Sequence, residues 1–400
     1  MVMLLIIDLL YMRRVSRIKA IMLVVLYVCT LQVQATEKDS IQQKKNLRFS
    51  ILGGPGYTPD YGLVIGGSCL FTFSTNVADT TMKRSVLPVA FAYMTNGGGS
   101  MIVRPQLFFN EDRFRIFGQF SMNSTLDNYY GVGYETNSST DRGEKTTQYR
   151  SVGFKMNPIF LFRYSDTNLF LGASIDAGKR SMEEPSEGVI NDPHFIAQGG
   201  TTEGLSFTNV GIGANISYDT RDIPANAYSG MFVEVSATYY PKAIGSTMEY
   251  GVYKLDYRQF RELKMLGERR VLAWMLNGRF TSGDVPITEM SLVGSPFDLR
   301  GYYLGHYRDR NALMSVVEYR HMFNAGDETR FRRLLSKCGF VTWGGVGSVS
   351  DKFMDSKHLL PNYGAGLRIE VQPRMNFRLD VGRDPTNKQN LIYFNMTEAF

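Results

Sequence analysis

Four hundred residues allow one large domain or two ordinary ones, and here they carry 13% aromatics, 39 glycines and only three cysteines. A mean hydropathy of −0.18 despite 44% apolar residues argues against a helical membrane protein, which shows runs of about 20 apolar residues, and suits many short strands joined by turns. The formal charge of +6 falls to +3 once an N-terminal leader is set aside, leaving 40 basic against 37 acidic residues, and that balance carries no nucleic-acid signature.

The leader comes first. Residues 12–19, "MRRVSRIK", supply a positive region, 20–31, "AIMLVVLYVCTL", a short apolar one, and "VQA" at 33–35 small residues at the cut. The apolar run is too short to span a bilayer and has the flanks of a secretory signal. Met12 is a candidate true start. Arg13 and Arg14 also fit twin-arginine export, although ordinary positive charge is the simpler reading. Bulky Tyr27 and Val28 before Cys29 argue against a lipoprotein cysteine. Cys69 and Cys338 can be read as a disulfide of an exported protein or as two free thiols.

From about residue 61 the chain is written in period two. In "YGAGLRIEV" (363–371), Tyr363, Ala365, Leu367, Ile369 and Val371 share one face, and Gly364, Gly366, Arg368 and Glu370 the other. "NVGIGANISYD" (209–219) and "FRLDV" (377–381) repeat the pattern. Such alternation makes strands with one apolar and one polar face. A soluble sandwich meets that pattern by turning its apolar faces into a core, a membrane barrel by turning them to lipid. Export, the strand number, and the alternation of short connections with long polar ones (178–204, 282–310, 349–360) favour the barrel.

Sixteen strands are predicted. The first half spans 61–74, 86–96, 100–109, 113–121, 129–135, 146–164, 168–177 and 205–219. The second spans 229–240, 247–262, 267–281, 311–323, 337–348, 361–371, 375–383 and 390–400. The expected organisation is a signal peptide at 1–35, a short periplasmic segment at 36–60 and an all-β transmembrane antiparallel barrel at 61–400.

Five stretches add specificity. They are "YYGVGYET" (129–136), "YDTRDIPANAYSG" (218–230), "GSPFDLRGYYLGHYRDRN" (294–311), "VVEYRHMF" (316–323) and a terminal Phe400 preceded by Met396, Phe394 and Ile392. Together, and in this order, they resemble the BamA/TamA superfamily of outer-membrane assembly and translocation barrels. The resemblance covers essentially the whole mature chain. Two departures stand out. Family members usually carry periplasmic POTRA modules, and the stretch from Thr36 to about Asp60 is too short for one. The thirteenth strand usually reads F-D-x-G, whereas "GGVG" (344–347) puts Gly345 at the Asp position.

The resemblance implies an extracellular loop folded into the lumen, with Leu299, Arg300, Gly301 and Tyr302 as its motif. A guanidinium inside a narrow barrel needs an anionic partner. Glu318, on the face of Val316 and Arg320, is the expected one. Gly301 lets the tip turn tightly, and Gly211, Gly213, Gly364 and Gly366 are expected to leave room for the loop backbone. Asp219, Arg221, Asp222, Pro224 and Gly230 form a periplasmic turn motif in which Asp219 and Arg221 brace the bend. Ile392, Phe394, Met396 and Phe400 resemble the signal by which such barrels are themselves assembled.

Catalysis finds no support. The histidines His194, His306, His321 and His358 lack metal-ligand spacing, no G-x-S-x-G elbow occurs, and the Gly-x-Gly pairs open no helix. The chain is therefore not read as an enzyme, and no cofactor or metal is expected. The basic run "RFRRLLSK" (330–337) suits a periplasmic turn near headgroups. The expected function is assistance of protein insertion or export at the bacterial outer membrane through a weak lateral seam between first and last strands. The alternatives are a passive pore and a structural anchoring barrel. Expected partners are outer-membrane lipid, unfolded outer-membrane or exported proteins, and the barrel-assembly machinery for the chain's own insertion, with no nucleic acid.

Overall fold

The computed structural model describes residues 46–76, 83–326, 328–353, 355 and 357–400; the expected signal peptide lies outside the described residues. The wall begins with β1 (Arg48–Thr58), β2 (Gly62–Phe73), β3 (Ser85–Met94), β4 (Gly98–Val103), β5 (Gln106–Phe109), β6 (Phe114–Asn128), β7 (Gln148–Arg163) and β8 (Leu169–Glu183). It continues with β9 (Gly204–Asp219), β10 (Gly230–Tyr240), β11 (Tyr250–Glu262) and β12 (Arg270–Gly283). A small separate hairpin follows, made of β13 (Ser291–Val293) and β14 (Tyr307–Asp309). The wall resumes with β15 (Asn311–Met322), β16 (Cys338–Ser350), β17 (Leu360–Gln372), β18 (Met375–Asp384) and β19 (Gln389–Met396). Short helices α1 (Tyr134–Ser139), α2 (Glu187–Ile190), α3 (Pro193–Ala197) and α4 (Arg330–Leu335) lie in connections.

Every wall strand is antiparallel to its neighbours, and β1 meets β19, so the sheet closes. β4 and β5 are two halves of one wall strand, each paired with β3 and β6. The result is a closed barrel of 16 strands. An even count places both ends of the barrel wall at one end, here termed lower. The long connections, including 129–147, 184–203 and 284–310, lie at the other.

Alternation decides which residues face which medium. In β17, Asn362, Gly366 and Arg368 are buried inside while Tyr363, Leu367 and Ile369 are exposed outside. The outer face repeats this with exposed Ile212, Ile216, Val235, Tyr253, Val317, Leu379, Val381 and Ile392. Each large apolar side chain left in water forgoes roughly 1.5–3 kcal/mol. A wall that turns this many outward needs an apolar solvent, and lipid supplies it. At the lower rim, Tyr319, His321, Phe323 and Phe340 stack and edge against one another, as an interfacial aromatic girdle does.

The structure corrects three boundaries. The barrel begins before Tyr61, with β1, whose "GGPG" (53–56) reads as turn punctuation in sequence yet pairs along its whole length with β2. Residues 129–135 are not a strand: β6 runs on to Asn128, and consecutive Tyr129 and Tyr130 are both buried, which alternation in a wall strand forbids. Finally, β19 stops at Met396 rather than at Phe400. The missed first strand and the surplus fifth offset each other, so the long loop at 284–310 still joins the eleventh and twelfth wall strands. Cys69 and Cys338 are free thiols.

Purified protein is expected to give a β-dominated circular dichroism spectrum and to change gel mobility on boiling. A helical spectrum, or recovery in a soluble fraction, would contradict this architecture.

Candidate functional site

The connection from β12 to β15 turns back into the barrel. The β13–β14 hairpin carries its tip, residues 294–306, down the lumen, with Ser291 opposite Asp309 and Val293 opposite Tyr307. At the tip Leu299, Arg300 and Tyr302 are wholly buried. Gly301 has φ +118, and a Cβ there would lie 2.7 Å from the Arg383 carbonyl carbon. A Cβ on Gly382 would lie 2.6 Å from the carbonyl carbon of Arg300. Loop and wall backbones therefore touch at a pair of glycines, with no space for a methyl group on either side.

Hydrogen bonds fix that contact. The Gly301 N–H donates to the Tyr393 hydroxyl at 2.9 Å, and that hydroxyl donates to the Tyr302 carbonyl at 3.1 Å. Asn362 Nδ2 donates to the Arg300 carbonyl at 2.8 Å, and the Tyr302 hydroxyl to the Pro361 carbonyl at 2.8 Å. Leu299 fills the space left by Gly347, where a Cβ would lie 2.4 Å from its Cδ1.

The Arg300 guanidinium is held on three sides. Nη2 reaches Glu318 Oε2 at 2.5 Å, Nη1 reaches Asp380 Oδ2 at 2.7 Å, and the planar group lies 3.5 Å from the Trp343 ring centroid. Neither carboxylate serves Arg300 alone. Glu318 also takes Arg320 Nε at 2.7 Å. Asp380 also takes Arg368 Nη1 at 2.6 Å and Arg378 Nη1 at 3.1 Å. Arg368 continues to Glu398 at 2.9 Å, and Arg378 donates to the Pro296 carbonyl at 2.8 Å. All of these side chains are buried. Buried charges persist only where they are compensated, and in this lattice the carboxylates come from β15, β18 and the tail after β19.

The structure places the other sequence-derived residues as follows. Gly211, Gly213, Gly364 and Gly366 face the lumen, but the space beside them is taken by side chains rather than loop backbone. Tyr240 lies over Gly211, Ser174 and Thr238 over Gly213, Trp343 over Gly364, and Asp380 with Arg368 over Gly366. The glycine that receives the loop backbone is Gly382. At Gly345 a Cβ would lie 2.6 Å from Asn362 Oδ1, and the second carboxylate comes from Asp380 in β18.

In the lower turn, Arg221 chelates Asp219 at 2.9 and 2.8 Å. Asp222 accepts the Tyr228 N–H at 3.0 Å and pairs with Arg374 at 3.0 Å, and Arg374 in turn lies 3.3 Å from the Tyr228 ring centroid. Pro224 is exposed. Gly230, with φ +95, sits where a Cβ would meet the Thr220 carbonyl oxygen at 2.2 Å.

Ile392 is exposed on the outer wall, and Phe394 and Met396 follow on that face, where Phe394 stacks on Phe377. Phe400 does not continue the series. Thr397 takes φ +68 and the chain turns inward, so Phe400 is buried beside Phe260 and Arg320.

At the upper end Asp60, in the β1–β2 turn, accepts the Leu304 N–H at 3.1 Å and lies 3.5 Å from Arg142 Nη1. Arg142 also lies over the Tyr303 ring at 4.1 Å. Burial pushes the Asp60 carboxyl up to about 6, against the opposing pull of Arg142 and the Leu304 N–H. Asn137, carried by α1, donates to the Tyr130 and Gly131 carbonyls and accepts the Arg308 N–H at 2.8 Å. Thus "YYGVGYET" belongs to the plug of loops at the upper opening. Among the described residues no group of His, Cys, Asp or Glu is arranged to hold a metal ion.

A family model described as the Omp85 superfamily domain matches residues 67–400. Among solved structures, the chain is similar to BamA from Haemophilus ducreyi lacking POTRA domains 1–3, with a TM-score of 0.58 at 10% identity, covering 93% of this chain and 78% of that one. It is also similar to CdiB from Acinetobacter baumannii (TM-score 0.55, 11% identity, 89% of this chain) and CdiB from Escherichia coli (TM-score 0.55, 10% identity, 90% of this chain). It spans 60% and 63% of those two chains. No curated protein sequence matches it.

Removing one partner of a buried ion pair costs roughly 3–5 kcal/mol, so Arg300→Ala and Glu318→Ala should each loosen the tip, with a double variant costing less than their sum. Asp380→Ala should cost more than Glu318→Ala, because three arginines rather than two each lose a carboxylate contact. Gly382→Ala should displace the tip with every charge intact, by roughly 1–3 kcal/mol. Proteolysis of 294–306 in the folded barrel measures all five variants, and cleavage as slow as in the parent chain would refute the buried lattice.

The Asp60 carboxyl yields a pH dependence. Its folded pKa, about 6, lies above the unfolded value of about 4. The associated stability is therefore fully present below pH ~4 and lost as pH rises through ~6, up to ~3 kcal/mol. Thermal unfolding across that window should show the loss, and Asp60→Asn should flatten it.

Proposed function

The chain belongs to the Omp85 superfamily, and on that footing we propose that it assists the insertion or export of other proteins through the seam between β1 and β19. The family resides in the bacterial outer membrane, handles client proteins, and comprises transport and assembly barrels rather than enzymes.

The observation that carries the reading is the poverty of that seam. β1 and β19 share a single ladder position, Tyr57 opposite Phe394. On its other side β1 pairs with β2 from Arg48 to Thr58, and β19 pairs with β18 from Gln389 to Met396. The seam strand also contains Gly53, Gly54, Pro55 and Gly56. Glycine adds no packing and proline no N–H donor, so little in β1 favours a longer ladder. Two strand edges with unused N–H and C=O groups are templates for a third strand. A client strand would pair with one of them while its apolar face entered lipid. The lumen loop supports the same reading, because it holds β18 and β19 in place while β1 is held mainly by β2. In this reading Arg300, Gly301 and Tyr302 serve as the fixed side of a gate.

The test is a lock. Tyr57 and Phe394 lie directly opposite each other, within the reach of a disulfide. A Tyr57→Cys/Phe394→Cys variant, in a background free of other cysteines, is expected to lose its ability to speed the folding of an unfolded barrel into liposomes, and to regain it on reduction. Undiminished activity in the oxidised form would refute lateral opening. Ion conductance unchanged by the lock, without any folding activity before or after reduction, would establish the passive-pore reading instead.

A further inference from the structure

The lower rim carries a feature that neither the seam nor the lumen loop uses. Between β15 and β16, α4 is capped by Thr329, whose hydroxyl accepts the Arg332 N–H at 3.2 Å. At helical spacing Phe331, Leu334 and Leu335 share one arc, and Arg330, Arg332 and Arg333 the opposite one. The apolar arc is not buried against the barrel: Phe331 is 73% and Leu334 60% exposed. The neighbouring lower turn between β11 and β12 contains a single 3-10 turn, Lys264–Leu266. It presents Met265, 90% exposed, and Leu266 beside Lys264.

The two turns are joined. Arg269 Nη1 donates to the Ser336 carbonyl at 2.6 Å, and Asn324 Nδ2 to Glu268 at 3.5 Å. Above them on the outer wall stands the girdle of Tyr319, His321, Phe323 and Phe340, where β15 ends and β16 begins. Such a girdle marks the depth at which hydrocarbon gives way to headgroups. The turn that carries α4 directly joins the two strands that bear this girdle. Their setting is basic: from Asp327 to Lys337 the sequence carries Arg330, Arg332, Arg333 and Lys337 against Asp327 and Glu328, and Glu328 pairs with Arg332 at 3.1 Å.

We propose that α4 and the 264–266 turn form a rim anchor that enters the membrane leaflet at the lower end of the barrel and selects anionic phospholipid. A helix this short does not hold itself together in water; the flanking strands impose it. With Phe331 and Leu334 on the hydrocarbon side of the headgroups and the arginines level with them, it lies in the interface as larger amphipathic segments do. The cations then face the anionic headgroups directly. The anchor would set the depth and tilt of the wall between β11 and β16.

The experiment uses the full chain in nanodiscs of phosphatidylethanolamine, with or without phosphatidylglycerol. In a background lacking Cys29, Cys69 and Cys338, Phe331→Cys and, separately, Leu334→Cys carry an environment-sensitive fluorophore. Heat-modified mobility confirms that each variant is folded. The expected result is blue-shifted emission quenched by shallow lipid-borne quenchers, stronger with phosphatidylglycerol. Arg330→Gln should weaken that lipid preference about fivefold. Quenching by aqueous iodide would overturn the proposal. So would lipid quenching indifferent to phosphatidylglycerol, and so would shielding from both kinds of quencher, which would indicate a protein occupant.

Discussion

The interior of this barrel depends on one buried cation. Arg300 enters the lumen on a loop, and its charge is compensated by Glu318 from β15 and Asp380 from β18, which converge on its two Nη atoms beside the Trp343 ring. The two carboxylates belong to strands separated by β16 and β17. The loop therefore cross-links a four-strand section of wall that backbone ladders connect only step by step. Desolvating so many charges is unfavourable, and the lattice compensates by letting Asp380 serve three arginines and Glu318 two. The glycine pair at 301 and 382 is a consequence: a guanidinium can reach this depth only if the backbones that carry it come into contact.

The same loop spans the seam. Gly301 and Tyr302 hold the hydroxyl of Tyr393 on β19, and three residues on, the Leu304 N–H reaches Asp60 in the β1–β2 turn. β19 thus carries two roles on adjacent residues, the Tyr393 side chain meeting the loop and Phe394 pairing with Tyr57 of β1. One side of the seam is built on charge and glycine contacts, the other on a strand of "GGPG". Rigidity and weakness are set side by side, and the loop touches both.

What was legible in the sequence follows from a local rule. Period-two alternation needs only neighbouring residues, so the all-β class and the apolar and polar faces of each strand follow from it directly, whereas the lumen side of Glu318 rests on the family resemblance. The rule failed where backbone geometry departed from it. β1 carries "GGPG", shows no alternation there, and falls within the segment expected to precede the barrel. The stretch at 129–135 imitates a strand, yet it buries adjacent tyrosines in the loop plug.

Partners that meet across the barrel could not be read at all. Asp380 was visible as an inward residue of "FRLDV", but nothing local says that it meets Arg300, 80 residues away, or that Gly382 rather than Gly364 receives the loop. The inward turn of Phe400 depends likewise on Phe260 and Arg320, far off in the chain. Strand identity and facing are fixed by the alternation of the chain with itself. Pairing inside the lumen is fixed by closure, which sets residues distant in sequence at hydrogen-bonding distance, and closure is a property of the assembled wall.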